Sequence, residues 1–201
     1  MDGKVFGKQH IDEQTLMDCS VFAGLAKDNY DKRGQKDELR KREQRFFGKV
    51  GEWVAHAAIR PYFTELSYPN MEIFSPKEKS WDNDLYAGEV AFACKTCEWN
   101  GDSWLFQLKD DEGHGCDKEI FATNAKDKLV VCVQLDFDKH SGRIRSLIPL
   151  SQVKSLNLFE DPRKIDLRGK KLVVYRHALS YYGFLDKIHP SVEEFLHKVQ
   201  V

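Results

Sequence analysis

Residues 129–138, LVVCVQLDFD, narrow the folds open to this chain more than any other stretch. Apolar and β-branched side chains follow one another there without the three- and four-residue rhythm of a helix surface. The stretch therefore reads as a central strand buried on both faces, which needs strands on either side of it and layers above and below. Further strand patterns supply the neighbours: 89–96 (EVAFACKT), 103–108 (SWLFQL), 143–150 (RIRSLIPL), 171–175 (KLVVY) and a short one at 71–74. Between the first two lies CEWNGD, whose Asn100 and Gly101 are strong hairpin-turn residues, so 89–96 and 103–108 are expected to pair as a hairpin.

The covering layers come from helices at the two ends. Over residues 37–63, Phe46, Phe47, Val50, Trp53, Val54, Ala57 and Ala58 recur at helical spacing, and Pro61 is expected to end or kink that helix. A weaker helix is expected over 12–27 and a terminal one over 192–199. No internal repeat or low-complexity tract interrupts the pattern. The expected fold is α/β, a mixed β-sheet flanked by helices, with residues 34–201 as one domain and residues 1–33 as an N-terminal helical extension.

Composition limits the functions. In 201 residues there are 31 Lys and Arg against 32 Asp and Glu, a net charge of -1, which argues against a coat protein held to polyanions by bulk charge. The balance is uneven along the chain: +2 over residues 1–60, -8 over 61–120 and +5 over 121–201. An acidic middle between basic wings suits carboxylates grouped around a cation and surfaces that attract phosphate; a solvated helix face explains the same charge run. No apolar run approaches the length of a membrane span, and the N-terminus lacks the apolar core of a signal peptide, so a cytoplasmic address without membrane contact is expected. The five cysteines then read as thiols or metal ligands rather than disulfides.

Three segments carry residues with chemical potential. Asp84, in the loop WDNDLY, precedes the strand ending in Ala93-Cys94-Lys95, and an aspartate that holds a divalent cation beside a lysine that orients water is what a metal-dependent phosphodiesterase needs. Alternation places Glu89, Ala93 and Lys95 on one strand face and Cys94 on the other. Lys41, Arg42, Arg45 and Lys49 form a basic stripe on the long helix, able to meet phosphates. Arg163, Lys164, Arg168, Lys170 and Lys171 form a second basic patch, and Trp81 and Trp99 are available to stack on bases, while Trp104 is expected in the core.

In order, these motifs resemble the PD-(D/E)XK superfamily of restriction-endonuclease-like nucleases over roughly residues 42–138. REQRFFGKVGEW resembles that family's helix with its Gly-x-x-Gly-Glu pattern, which gives Glu52 the place of the helical glutamate. Asp84 takes the place of the family's aspartate, with Asp82 as a competitor, and Lys95 that of its lysine. The strand SWLFQ resembles branches in which a glutamine follows, implicating Gln107. The acid expected two residues before the lysine is Ala93, so Glu52, Glu89 or hydrated backbone must complete the cation site. The resemblance implies a restriction-endonuclease-like core, Mg2+ or Mn2+ held by Asp84, Glu52 and Glu89, DNA as partner, and a homodimer of the kind small phage or restriction nucleases form. It equally leaves open a protein that keeps the fold and binds DNA without cutting it.

The cysteines offer a rival. Cys94, Cys97, His114 and Cys116 follow C-x2-C-x16-H-x-C, close to structural zinc spacing, although no glycine-containing turn accompanies the first pair. A zinc-stabilised interaction module is thus a third possibility. His114 and Cys116 are too close in sequence to act readily as a base and nucleophile pair. The acidic run KDDEGHGCDK lacks the alternation of a calcium loop.

Overall fold

The computed structural model describes residues 6–26, 37–63, 65–73, 84–98, 104–109, 128–149, 163–167, 170–177 and 187–188, with side chains described for 6–26, 37–63, 65–73, 84–98 and 129–147. In chain order the elements are β1 (Gln9–His10), α1 (Glu13–Leu25), α2 (Glu38–Ile59), β2 (Leu85–Ala87), β3 (Val90–Glu98), β4 (Trp104–Lys109), β5 (Lys128–Asp136), β6 (Ser141–Pro149), β7 (Arg163–Leu167), β8 (Lys170–His177) and β9 (Lys187–Ile188). The architecture is mixed α/β.

Each helix starts on an aspartate cap. Asp12 accepts from the Thr15 N–H at 2.6 Å, and Asp37 accepts from Leu39 and Arg40 at 3.1 and 3.2 Å, which satisfies donors that the first turn leaves open. α2 ends at Ile59 because Pro61 has no N–H to continue the helical ladder, and the chain tightens into a 3-10 turn over Arg60–Tyr62. The expected helix over 37–63 is thus two conformations in succession.

The main sheet has the order β1-β6-β5-β3-β2, with β9 also paired to β6. β5 is parallel to β3 and antiparallel to β6, so it occupies the middle, as its apolar run predicts. A register shift between Cys132 and Val133 inserts Arg145 opposite that step. On the face toward α2, Phe92 of β3, Leu129, Val131, Val133 and Leu135 of β5 and Ile144 and Leu147 of β6 meet Val50, Val54, Ala55, Ala58 and Ile59 of the helix. Phe63 closes one end with its ring edge-on to Phe92, 5.5 Å between centroids.

Gly142 of β6 lies where the helix comes closest. A Cβ there would stand 2.8 Å from Val54 Cγ2 and 2.9 Å from Leu135 Cδ2, both in the packed core. Gly142→Ala is expected to destabilise the protein by about 1–3 kcal/mol through overpacking. Urea unfolding checks this, with the midpoint falling and the slope unchanged.

Two expectations are corrected. Among the described residues β3 does not pair with β4: β5 runs along one edge of β3, β2 takes the other at Val90–Phe92, and β4 pairs with β8 in a separate antiparallel sheet of order β4-β8-β7. The turn residues report local preference alone, and β4 instead pairs with the apolar, β-branched run of β8. Residues 71–73, expected as a strand, have no regular structure. Phe74, the turn at residues 99–103 and the helix expected at 192–199 lie outside the described residues.

The described part of the N-terminal segment is built into the core. β1 extends the sheet beside Ser141 and Gly142, and Phe6, Ile11 and Cys19 belong to the same apolar cluster as α2 and the strands. Among the described residues no helix is long and apolar enough to cross a membrane.

Candidate active site between the long helix and the sheet

Gly51 determines how near α2 can come to β3. A Cβ on it would fall 3.0 Å from both Cβ and Cγ2 of Thr96 and closer still to Oγ1, so only a hydrogen fits. The next residue, Glu52, is pressed against the sheet at 7% exposure. One turn earlier, Lys49 Nζ reaches Glu52 Oε2 at 2.6 Å, itself largely buried. The third member arrives from the sheet edge. Asp84, immediately before β2, donates its N–H to Phe92 O at 3.1 Å and accepts the Cys94 N–H on Oδ2 at 2.6 Å. This second bond fixes the carboxylate beside the middle of β3.

The electrostatics show that these groups share one locality. Burial pushes the Glu52 carboxyl up to about 8, the nearby charge of Asp84 pushes it the same way, and Lys49 opposes both. Cys94, on the same side of β3, is raised well above the usual thiol range by burial and then by Asp84 and Glu52. Cys19 of α1 is raised to about 12, again by burial first and Glu52 second. Both thiols are therefore inert packing groups beside the carboxylates.

Lys95 is not among the charges that act on Glu52 or Cys94. Phe92, Cys94 and Thr96 face α2, while Ala91, Ala93, Lys95 and Cys97 face the other side of the sheet by strand alternation. Lys95 stands opposite Cys132 in the pairing register and interacts with that thiol electrostatically. Glu89 sits in the turn between β2 and β3, about 16 Å along β3 from the point where Asp84 meets Cys94. Gln107 lies on β4 opposite Val174, in the second sheet. Cys94 and Cys97, three residues apart on one strand, point to opposite faces, and both are free thiols. Asp82, His114, Cys116, Trp81, Trp99 and Arg168 lie outside the described residues, Trp104 is on β4, Arg163 and Lys164 are on β7, and Lys170 and Lys171 are on β8.

The basic stripe of α2 is largely engaged with its neighbours. Arg45 donates to Ala23 O at 2.8 Å, Arg42 reaches Ser20 Oγ at 3.5 Å, and Lys49 lies 5.0 Å from the Phe22 ring centre, so these three side chains join α2 to α1. Lys41 is buried and pairs with Glu38 at 2.7 Å. The place of Lys49 in the carboxylate site was open to sequence reasoning through its i, i+3 spacing to Glu52. As a member of a basic run it reads instead as a surface charge.

Among the described residues no group of three or more His, Cys, Asp or Glu side chains is placed to hold a metal ion. Glu52 and Asp84 are oxygen donors, the kind a hard cation takes rather than zinc, and Glu52 would have to give up the proton it holds up to about 8 in order to bind one. Comparison with protein-family models, curated proteins and solved structures finds no match.

Proposed function

We propose that the chain is a divalent-metal-dependent DNA endonuclease that hydrolyses phosphodiester bonds on a restriction-endonuclease-like core. The observation that carries this reading is the approach of Glu52, from the helix and paired with Lys49, to Asp84, from the edge of β2, next to Cys94. These are the two carboxylates that the resemblance pairs, and they are distant in sequence. Asp84 and Glu52 would hold Mg2+ or Mn2+, which when bound polarises the phosphate and makes its water more acidic. The Cys94 N–H holds Asp84 in position, and burial excludes competing water from Glu52. Lys49, rather than Lys95, is the lysine placed to offset charge on the phosphate and orient the attacking water.

Cleavage of supercoiled plasmid and single-stranded DNA in Mg2+, Mn2+ or EDTA tests the assignment. Asp84→Asn retains an acceptor for the Cys94 N–H and removes the charge, so a fall of about 100-fold or more reports lost chemistry rather than a lost fold. Lys49→Ala should fall comparably and Lys95→Ala should remain near wild type. Equal traces of cleavage in all four proteins would sink the proposal.

One observation favours a second reading, a nuclease-like fold that binds DNA without cutting it. On the face shared with Glu52 and Asp84, β3 offers Cys94 and Thr96, where an acid-X-Lys strand would offer a carboxylate and a lysine. Retention of DNA that is indifferent to EDTA, with no cleavage under any cation, would select this reading.

A further inference from the structure

One helical turn beyond Glu52, α2 presents an aromatic group that the proposed chemistry does not use. His56 stacks on Tyr68 with ring centres 4.7 Å apart and planes 29° from parallel. Trp53 meets His56 edge-on at 5.8 Å and Tyr68 at 6.0 Å. The Arg60 guanidinium lies 6.0 Å from the Tyr68 ring centre. His56 is 4% exposed, yet its Nε2 has no hydrogen-bond partner among the described residues, nor has Trp53 Nε1. Burying such polar atoms unsatisfied is unfavourable, and an aliphatic side chain would fill the space without that penalty. The gain from histidine is a flat, rigid backing for the tyrosine ring. Burial and then Arg60 lower the His56 pKa, so the imidazole is neutral at pH 7.

Tyr68 itself is 60% exposed. Its backbone is fixed to the strand that positions the carboxylate site. Leu66 bridges Ala87 in antiparallel fashion, the Ser67 N–H donates to Tyr86 O at 2.7 Å, and the Tyr86 N–H donates to Ser67 Oγ at 2.8 Å. Continuing that register sets Tyr68 opposite Leu85, next to Asp84. An exposed ring on an aromatic base thus stands on the segment bridged to β2, one helical turn along α2 from Glu52, with the Arg60 guanidinium over the ring.

We propose that the outer face of Tyr68, backed by His56 and flanked by Trp53 and Arg60, is a stacking platform for an unpaired nucleobase. Resting on the nuclease reading, the strand that enters the carboxylate site is then single-stranded DNA. A base in a duplex has both faces covered by its neighbours, whereas an unpaired base can lie flat on the ring and leave its phosphate near Arg60.

The test is binding of a labelled oligothymidylate and of a duplex to the full chain in EDTA, with metal-dependent cleavage assayed separately. We expect single-stranded binding to exceed duplex binding, Tyr68→Ala to weaken it about tenfold, and Tyr68→Phe to retain it. Thermal unfolding of Tyr68→Ala should remain a single cooperative transition, lowered by the lost stacking on His56, so that weakened binding is read on a folded protein. Binding by Tyr68→Ala equal to wild type, a preference for duplex, or no binding of the oligothymidylate at all would overturn the platform. The two readings separate cleanly. Cleavage that depends on Asp84 but not on Tyr68 removes the platform and leaves the nuclease, while Tyr68-dependent binding without cleavage leaves the platform and removes the nuclease.

Discussion

Gly51→Ala is expected to destabilise the fold by about 2–3 kcal/mol, against the intrinsic preference of a helix for alanine. Alanine should gain about 0.5–1 kcal/mol in a helix interior, but its methyl group would overlap Thr96, whose branched side chain is enclosed between α2 and β3. Either the helix lifts off the sheet or Thr96 leaves its rotamer. Thr96→Ala removes the obstructing hydroxyl and methyl, and that hydroxyl has no hydrogen-bond partner among the described residues, so no bond is lost. The double variant should regain most of the stability, a coupling of about 1.5 kcal/mol or more in a urea-denaturation cycle. A Gly51→Ala protein as stable as wild type, or a double variant no better than the single, would show that helix and strand do not touch here.

Glu52→Gln should change how stability depends on pH. The buried carboxyl holds its proton up to about 8, against an ordinary value of 4.5. Below 4.5 it is protonated whether the chain is folded or not. As pH rises through the interval the unfolded chain ionises first, so the stability from the protonated acid drains away until the folded pKa is passed. The slope is at most about 1.4 kcal/mol per pH unit. Between pH 5 and pH 9 the wild type should therefore lose about 2–4 kcal/mol relative to Glu52→Gln, which keeps the shape and an oxygen for Lys49 but cannot ionise. Parallel stability profiles for the two proteins would mean that Glu52 is charged and well solvated.

Much of the fold is legible where the pattern is long. α2 is announced by apolar residues at helical steps from Phe46 to Ala58, and β5 by a run too apolar for an edge. β2 could not be read, because three residues, Leu85 to Ala87, carry no period. The β3–β4 hairpin failed for a different reason: Asn100 and Gly101 report only local turn preference, whereas β4 finds its partner in β8, far along the chain, which no local signal announces. In the site, Glu52 and Asp84 are legible as a pair only through the order of motifs around them. Strand parity separates Lys95 from them, and one residue of register decides that parity. Tyr68 gives no sequence signal, since the platform proposed for it depends on a bridge between Leu66 and Ala87.

The short strands at the margins of the main sheet have a consequence for how copies of this chain meet. β6 is flanked on its outer side by β1 at Ser141 and Gly142 and by β9 at Ser146 and Leu147, two-residue pieces from opposite ends of the sequence. At the far margin Leu66 bridges Ala87 of β2. At those positions an incoming strand from another molecule would have to peel one of these pieces away before it could bond in register. Where they pair, these segments are too short to serve as templates themselves, and the cover on β6 draws on residues 9–10 and 187–188, far apart in the sequence.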